Sequence, residues 1–123
     1  MTDVDELQHL TPNAIALRLS RLSRELDRKT DELAHLERDA VVKRHAYEIA
    51  FARAFLSQEV GSVDARKQAA ILATSEEKLA AETAEAVLRA ARTRIGTLKT
   101  QIETGRSLNA LMRAEISLSG VST

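Results

Sequence analysis

Apolar residues recur along the first half of the chain in alternating steps of four and three residues. This spacing keeps one face of a helix apolar over many turns and is typical of helices that pair in coiled coils. Thr11 and Pro12 precede the stripe and suit a helix start, because threonine can cap the first turn and proline needs no N–H there. The pattern predicts a long helix from Thr11-Pro12 to the region of Ser57. Its apolar face runs through Ile15, Leu19, Leu22, Leu26, Leu33, Leu36, Ala40, Tyr47, Ala50 and Ala54.

A short connection separates this helix from a second one. Within residues 58–62, Gly61 can adopt the left-handed conformation that follows a helix end, and Ser62 can cap the next helix. Because the connection is short, the two helices are predicted to be antiparallel neighbours. The second apolar stripe contains Ala84, Leu88, Ala91, Ile95, Leu98, Ile102, Gly105, Asn109, Met112 and Ile116.

Two glycines, Gly96 and Gly105, lie inside the second helix. Glycine costs roughly 1 kcal/mol relative to alanine in a helix interior. Each therefore marks either a kink or a point of close helix approach. As an alternative to one continuous helix, a break near Gly105 gives a short third helix over Arg106–Leu118.

Large side chains are scarce, since the chain has one Tyr, two Phe and no Trp. A hairpin of two such long helices buries only one side of each helix, so we expect copies of the chain to associate. The sequence therefore predicts an all-α, oligomeric, coiled-coil-like antiparallel hairpin. Residues 11–118 form its single domain, between a flexible acidic segment at 1–10 and a flexible tail at 119–123. The predicted core and oligomerisation seam contains Leu19, Leu22, Leu26, Leu33, Leu36, Leu88, Ile95, Leu98, Ile102, Met112 and Ile116.

No pattern of catalytic or metal-binding residues stands out. The chain has no cysteine, its glycines are isolated, and His9, His35 and His45 do not have helical ligand spacing. We therefore expect a non-enzymatic protein with no cofactor, metal or small-molecule substrate. No apolar run approaches the ~20 residues of a membrane span, and the first residues are acidic, unlike a signal peptide. These features predict a cytoplasmic protein with no membrane partner.

Basic residues form three groups although the formal net charge is zero. Arg106 and Arg113 are seven residues apart and project from one face of a helix. In a symmetric oligomer such residues recur as a ring of positive charge, which suits a nucleic-acid backbone. The competing interpretation is ordinary solvated side chains. The three groups of candidate nucleic-acid-binding residues are Lys43 and Arg44 with Arg53, then Arg66 with Lys67, and finally Arg106 with Arg113.

Lys29 and Lys43 interrupt the first apolar stripe. Polar residues at such positions control the register of coiled coils, or else bury their stems and extend the ammonium group to water. Both interpretations remain open at the level of the sequence.

Part of the chain resembles a family of small helical bacteriophage proteins, the UvsY-type recombination mediators. The similarity rests on Tyr47 with Ala52-Arg53-Ala54, on Gly61-Ser62-Val63, and on the stretch from Ile102 to Glu115 with Gly105-Arg106-Ser107-Leu108 and Met112-Arg113-Ala114. The resemblance implies rings that bind single-stranded DNA and help to load a recombinase onto strands coated by single-strand-binding protein. It also implies that Arg53 matches the family's basic residues ahead of the central turn, with Lys43 and Arg44 further back. Localisation would then be the cytoplasm of the phage host.

The resulting hypothesis is that the chain is a non-enzymatic, mediator-like accessory protein of DNA recombination, which binds single-stranded DNA as a homo-oligomer. The partners would be further copies of the chain, single-stranded DNA, and a recombinase or single-strand-binding protein. The first alternative is a structural coiled-coil adaptor or scaffold without nucleic-acid binding. The second is a regulatory module that captures an amphipathic helix of another protein.

Overall fold

The computed structural model describes residues 11–121. It contains helices α1 (Pro12–Leu56), α2 (Val63–Ala73) and α3 (Ser75–Val121). Within this part of the chain 93% of residues are helical and there is no β-strand. The predicted all-α class is therefore confirmed.

Both predicted helix starts are confirmed by their capping hydrogen bonds. The Thr11 hydroxyl accepts the Ala14 N–H at 3.1 Å, and the Ser62 hydroxyl accepts the Ala65 N–H at 3.2 Å. Each bond satisfies one of the amides that a first helical turn leaves unpaired. Gly61 has a φ of 114°, a conformation that favours glycine. It lies next to the Ser62 cap, however, and not directly after Leu56, where α1 ends.

Thr74 interrupts the predicted second helix and divides it into α2 and α3. Its φ and ψ are −115° and 19°, and its hydroxyl donates to the Ala70 carbonyl at 2.7 Å. The Thr74 N–H is shared between the carbonyls of Ala70 and Ile71 at 3.1 and 3.4 Å. Thr30, Thr97 and Thr100 form the same hydroxyl bond inside continuous helices, so this bond accompanies the break at Thr74 but does not by itself account for it.

The alternative break near Gly105 is wrong, because α3 continues through both Gly96 and Gly105. A Cβ atom at Gly105 would lie 2.7 Å from Cδ2 of Leu19, whereas a Cβ at Gly96 would meet no atom within 4 Å. Gly105 is therefore a point of close helix approach, and Gly96 is a helix-interior glycine facing open space.

The described residues form two compact units. The terminal unit contains the residues up to Thr30 and those from Thr93, and the central unit contains Asp31–Arg92. In the terminal unit Leu98 has no exposed surface, and Ile15, Ile95 and Ile102 are also buried. Leu19 packs beside Gly105, and Glu25 pairs with Arg94, so the two segments run antiparallel within this unit.

Small side chains make up most of the core of the central unit. Ala40, Ala84 and Leu88 form a buried cluster against which Leu33 and Leu36 pack. Ala70 and Ala81 have no exposed surface. Alanine lets helix backbones come close but buries little apolar area, so this core stabilises the fold less per residue than a leucine core would.

The predicted seam residues differ in burial. Leu88, Ile95, Leu98 and Ile102 are buried, and Ile116 is 60% exposed. The half-buried members are Leu19, Leu22, Leu26, Leu33, Leu36 and Met112.

The ends of the predicted domain differ from the structure in one respect. Helix α3 extends to Val121 and so enters the segment assigned to a tail at 119–123. The acidic segment at 1–10 and residues 122–123 lie outside the described residues.

Candidate functional site

Arg44 projects from α1 and forms a bidentate ion pair with Glu85 of α3. Its Nε and Nη2 atoms each donate to one carboxylate oxygen of Glu85 at 2.8 Å. The hydrogen bond from Arg44 lowers the pKa of Glu85, and the same bond raises the pKa of Arg44. The guanidinium also lies 5.5 Å from the Tyr47 ring centroid. Arg44 is thus held by its own chain, and binding a phosphate would require breaking a paired geometry.

Lys43 forms a weaker ion pair than Arg44 does. Its Nζ donates to Asp39 Oδ2 at 3.1 Å, one helical turn earlier, and both side chains are about half exposed. Exposed pairs of this kind contribute roughly 0.3–0.5 kcal/mol. Lys43 can therefore exchange Asp39 for another anion at little cost.

Arg66 and Lys67 are adjacent in α2 but have different surroundings. The Arg66 guanidinium lies 4.9 Å from the Phe55 ring centroid, and its Nε atom is buried without a hydrogen bond among the described residues. Stacking of this kind on an aromatic face is favourable for arginine. Lys67 is exposed. Arg66 therefore connects α2 to the end of α1, and Lys67 is the solvated member of the pair.

Arg53, Arg106 and Arg113 are exposed. Arg106 lines a groove of about 300 Å³ in the terminal unit together with Lys99 and the carboxylates of Asp27 and Glu103. These two acids offset part of the positive potential near Arg106. Five of the seven candidate residues, namely Lys43, Arg53, Lys67, Arg106 and Arg113, are thus exposed, while Arg44 and Arg66 are half-buried and contact protein groups.

Ion pairs between helices are the feature that the sequence analysis missed. In the central unit Arg92 Nη2 lies 3.1 Å from Glu37 Oε1, in addition to the Arg44–Glu85 pair. In the terminal unit Arg94 Nη2 lies 2.7 Å from Glu25 Oε1. The available signal was that α1 and α3 each carry opposite charges seven residues apart, Glu37 with Arg44 and Glu85 with Arg92.

An open groove of about 600 Å³ lies beside these pairs in the central unit. Ala40, Val41 and Leu88 contribute apolar surface, and the Arg44–Glu85 and Glu37–Arg92 pairs lie among the lining residues. Its shape and lining suit contact with another helix better than enclosure of a small molecule, because ligand sites usually surround most of the ligand.

Large apolar side chains are exposed on all three helices. Among the described residues thirteen large aliphatic side chains are exposed, against five that are buried. Exposed aliphatic side chains that adjoin one another mark interaction surfaces, whereas single ones are normal on a monomeric protein. The most exposed of these residues within helices are Val41, Leu56, Leu72, Leu79, Val63 and Leu118.

The described residues contain no group of three or more His, Cys, Asp or Glu placed to hold a metal ion. His35 and His45 are exposed on α1, and His9 lies outside the described range. None of α1, α2 and α3 has a stretch both long and apolar enough to cross a bilayer.

The geometry thus combines exposed apolar surface, internally paired charges and a few solvated arginines. Comparison with protein-family models, with curated proteins and with solved structures finds no match for this chain. The resemblance to UvsY-type recombination mediators therefore stays a hypothesis drawn from the sequence.

Proposed function

We propose that this chain is a non-enzymatic helical protein that acts through self-assembly, as a structural or adaptor component built on coiled-coil contacts. The observation that supports this proposal is the amount of exposed aliphatic surface. Leu56 and Leu72 are 75% and 78% exposed, and Val41 is 68% exposed. Burying one such side chain contributes about 1.5–3 kcal/mol, so contacts that cover several of them favour association strongly.

The small core gives a second reason to favour assembly. Most of the fully buried apolar residues of the central unit are alanines, each of which contributes little. A helical protein with such a core gains stability when its remaining apolar faces are covered by further copies, because binding to the folded state alone shifts the folding equilibrium.

Light scattering coupled to size-exclusion chromatography tests this proposal directly. At concentrations from about 1 to 100 µM, which span common affinities, we expect a mass that is a multiple of the 13.5 kDa chain. A compact monomer throughout this range would contradict the proposal.

Binding of single-stranded DNA is the second candidate function, and the solvated basic side chains favour it. Arg53, Lys67, Arg106 and Arg113 are exposed. In an assembly they would recur once per copy, and multivalent contact with phosphates would raise the affinity without any sequence reading. In the mediator-like form of this hypothesis, the assembly presents DNA to a recombinase, and a recombinase or single-strand-binding protein is a further partner.

Fluorescence polarisation with a labelled single-stranded oligonucleotide tests this second function. We expect binding at low salt that weakens steeply as salt increases, since displaced counterions drive the interaction. The double reversal Arg106→Glu with Arg113→Glu should weaken binding. A matched control is Arg21→Glu with Arg28→Glu, also exposed and seven residues apart. Equal losses in both double variants would exclude a specific role for Arg106 and Arg113, and absence of binding at low salt would exclude the function.

A further inference from the structure

A second apolar stripe runs along α1, on the face opposite to its buried seam. Val42, Ile49 and Leu56 follow one another at intervals of seven residues and are 57%, 40% and 75% exposed. At about 100° per residue, Val42 lies roughly 200° around the helix axis from the buried Ala40. The stripe therefore points away from the contact that Ala40 makes with Ala84 and Leu88.

Heptad spacing distinguishes this stripe from scattered exposed aliphatics. When Val42, Ile49 and Leu56 occupy the first position, a, of successive heptads, Ala52 falls at position d. Positions a and d form the contact face of a coiled coil, and β-branched residues at a combined with leucine at d favour two-stranded parallel pairs. Val42 and Ile49 meet this preference at position a, and at position d Ala52 supplies a smaller apolar side chain than leucine between Ile49 and Leu56.

The charged residues beside the stripe indicate the orientation. Glu48 falls at position g and Arg53 at position e of the next heptad, and both side chains are exposed. In a parallel pair a g residue faces the following e residue of the other helix. Glu48 would then face Arg53 of the second copy, and symmetry would form this pair twice. An antiparallel pair brings g positions together, so Glu48 would face Val41 or another Glu48 instead.

We propose that two copies of this chain pair in parallel along α1 through Val42, Ile49 and Leu56, flanked by two symmetric Glu48–Arg53 pairs. This inference rests on the proposed self-assembly and adds the face, the partner segment and the orientation. His45 occupies the d position between Val42 and Ile49, where it would meet its own copy. The contact is therefore strongest toward Leu56, where the d position holds an apolar side chain.

Disulfide trapping tests the orientation, and the absence of cysteine from the sequence gives a clean background. In a parallel pair Ala52→Cys lies opposite itself, within the Cα separation of about 4.4–6.8 Å that a disulfide requires. We expect mild oxidation to convert Ala52→Cys to a covalent dimer. Ala46→Cys, at an e position, and Ala90→Cys, exposed on α3, should cross-link far more slowly. Faster cross-linking of Ala46→Cys than of Ala52→Cys would overturn the parallel arrangement.

A charge-swap experiment tests the flanking pairs independently. Glu48→Lys places two cations together and Arg53→Glu places two anions together, so each should raise the dimer dissociation constant about 10-fold. The variant with both substitutions restores opposite charges and should recover the wild-type constant to within about 3-fold. If the double variant does not recover the wild-type dissociation constant, the contact assigned between Glu48 and Arg53 is wrong.

Ile49→Asp separates the failure of this inference from the failure of self-assembly. Because Ile49 is partly exposed, the variant should keep its helical circular dichroism while its dimer dissociation constant rises at least about 100-fold. An unchanged association in a folded Ile49→Asp variant would refute this face but leave self-assembly intact. A wild-type chain that is monomeric by light scattering would refute both.

Discussion

Replacing the two glycines inside α3 by alanine separates helix propensity from interhelical packing. Both Gly96 and Gly105 lie in the helix interior, so each replacement by alanine should gain about 0.8–1.0 kcal/mol from helix propensity alone. At Gly96 the new Cβ meets no atom within 4 Å, so Gly96→Ala should increase the free energy of unfolding by nearly this full amount.

At Gly105 the same gain is opposed by a steric clash. The new Cβ would lie 2.7 Å from Cδ2 and 3.4 Å from Cγ of Leu19, so the leucine must leave its rotamer or the helices must move apart. An off-rotamer side chain costs about 0.5–1.5 kcal/mol. Since the clashing atom is a terminal methyl group, we expect the two effects nearly to cancel. Gly105→Ala should therefore be about 1 kcal/mol less stable than Gly96→Ala.

Urea denaturation followed by helical circular dichroism provides the measurement, at one protein concentration for all variants, because association shifts apparent stability. Leu19→Ala supplies the control, since it removes the atoms that clash. In that background Gly105→Ala should regain about 1 kcal/mol and resemble Gly96→Ala. If Gly105→Ala stabilises the wild-type chain as much as Gly96→Ala does, the assigned close approach at Gly105 is wrong.

Three further predictions concern a core residue, an ion pair and a helix cap. Leu98→Ala should lower the free energy of unfolding by about 2–5 kcal/mol, because Leu98 has no exposed surface. Leu72→Ala, at a 78% exposed position, is the control and should change chain stability far less in denaturation at low concentration. The Arg44 contact lowers the pKa of Glu85 below its ordinary value of about 4.5, so the pair stabilises the fold above that pH and loses this effect as pH falls through the lowered pKa. The difference in melting temperature between wild type and Glu85→Gln should accordingly shrink as pH falls below about 4.5, and a difference that does not depend on pH would contradict this account. Ser62→Ala removes the hydroxyl that caps α2 and should cost about 1 kcal/mol, with reduced amide-exchange protection near the start of α2; unchanged protection there would show that the cap is unimportant.

Features set by local hydrogen bonding could be predicted from the sequence. Thr11 with Pro12 and Ser62 marked the helix starts because capping needs only residues within one turn. The break at Thr74 was missed because a threonine can form the same hydroxyl bond to the preceding turn inside a continuous helix, as Thr97 and Thr100 do.

Features that depend on a distant part of the chain could not be predicted. Gly105 allowed either a break or a close approach, and the choice depends on Leu19, which belongs to another helix. Arg44 was placed among residues for phosphate contact because its partner, Glu85, lies 41 residues away in the sequence. A heptad pattern indicates which face is buried, but it does not state which turns of two helices lie opposite each other.

The order of charges in the central unit has a consequence for how the two long helices align during folding. An apolar face with a seven-residue repeat matches itself almost equally well after sliding by one repeat. Sliding one way would set Arg44 against Arg92, and sliding the other way would set Glu37 against Glu85. Either misalignment replaces an attraction with a repulsion, whereas the native alignment pairs both arginines with carboxylates. These modest surface ion pairs thus favour one register of α1 against α3 among several that the alanine and leucine contacts alone would tolerate.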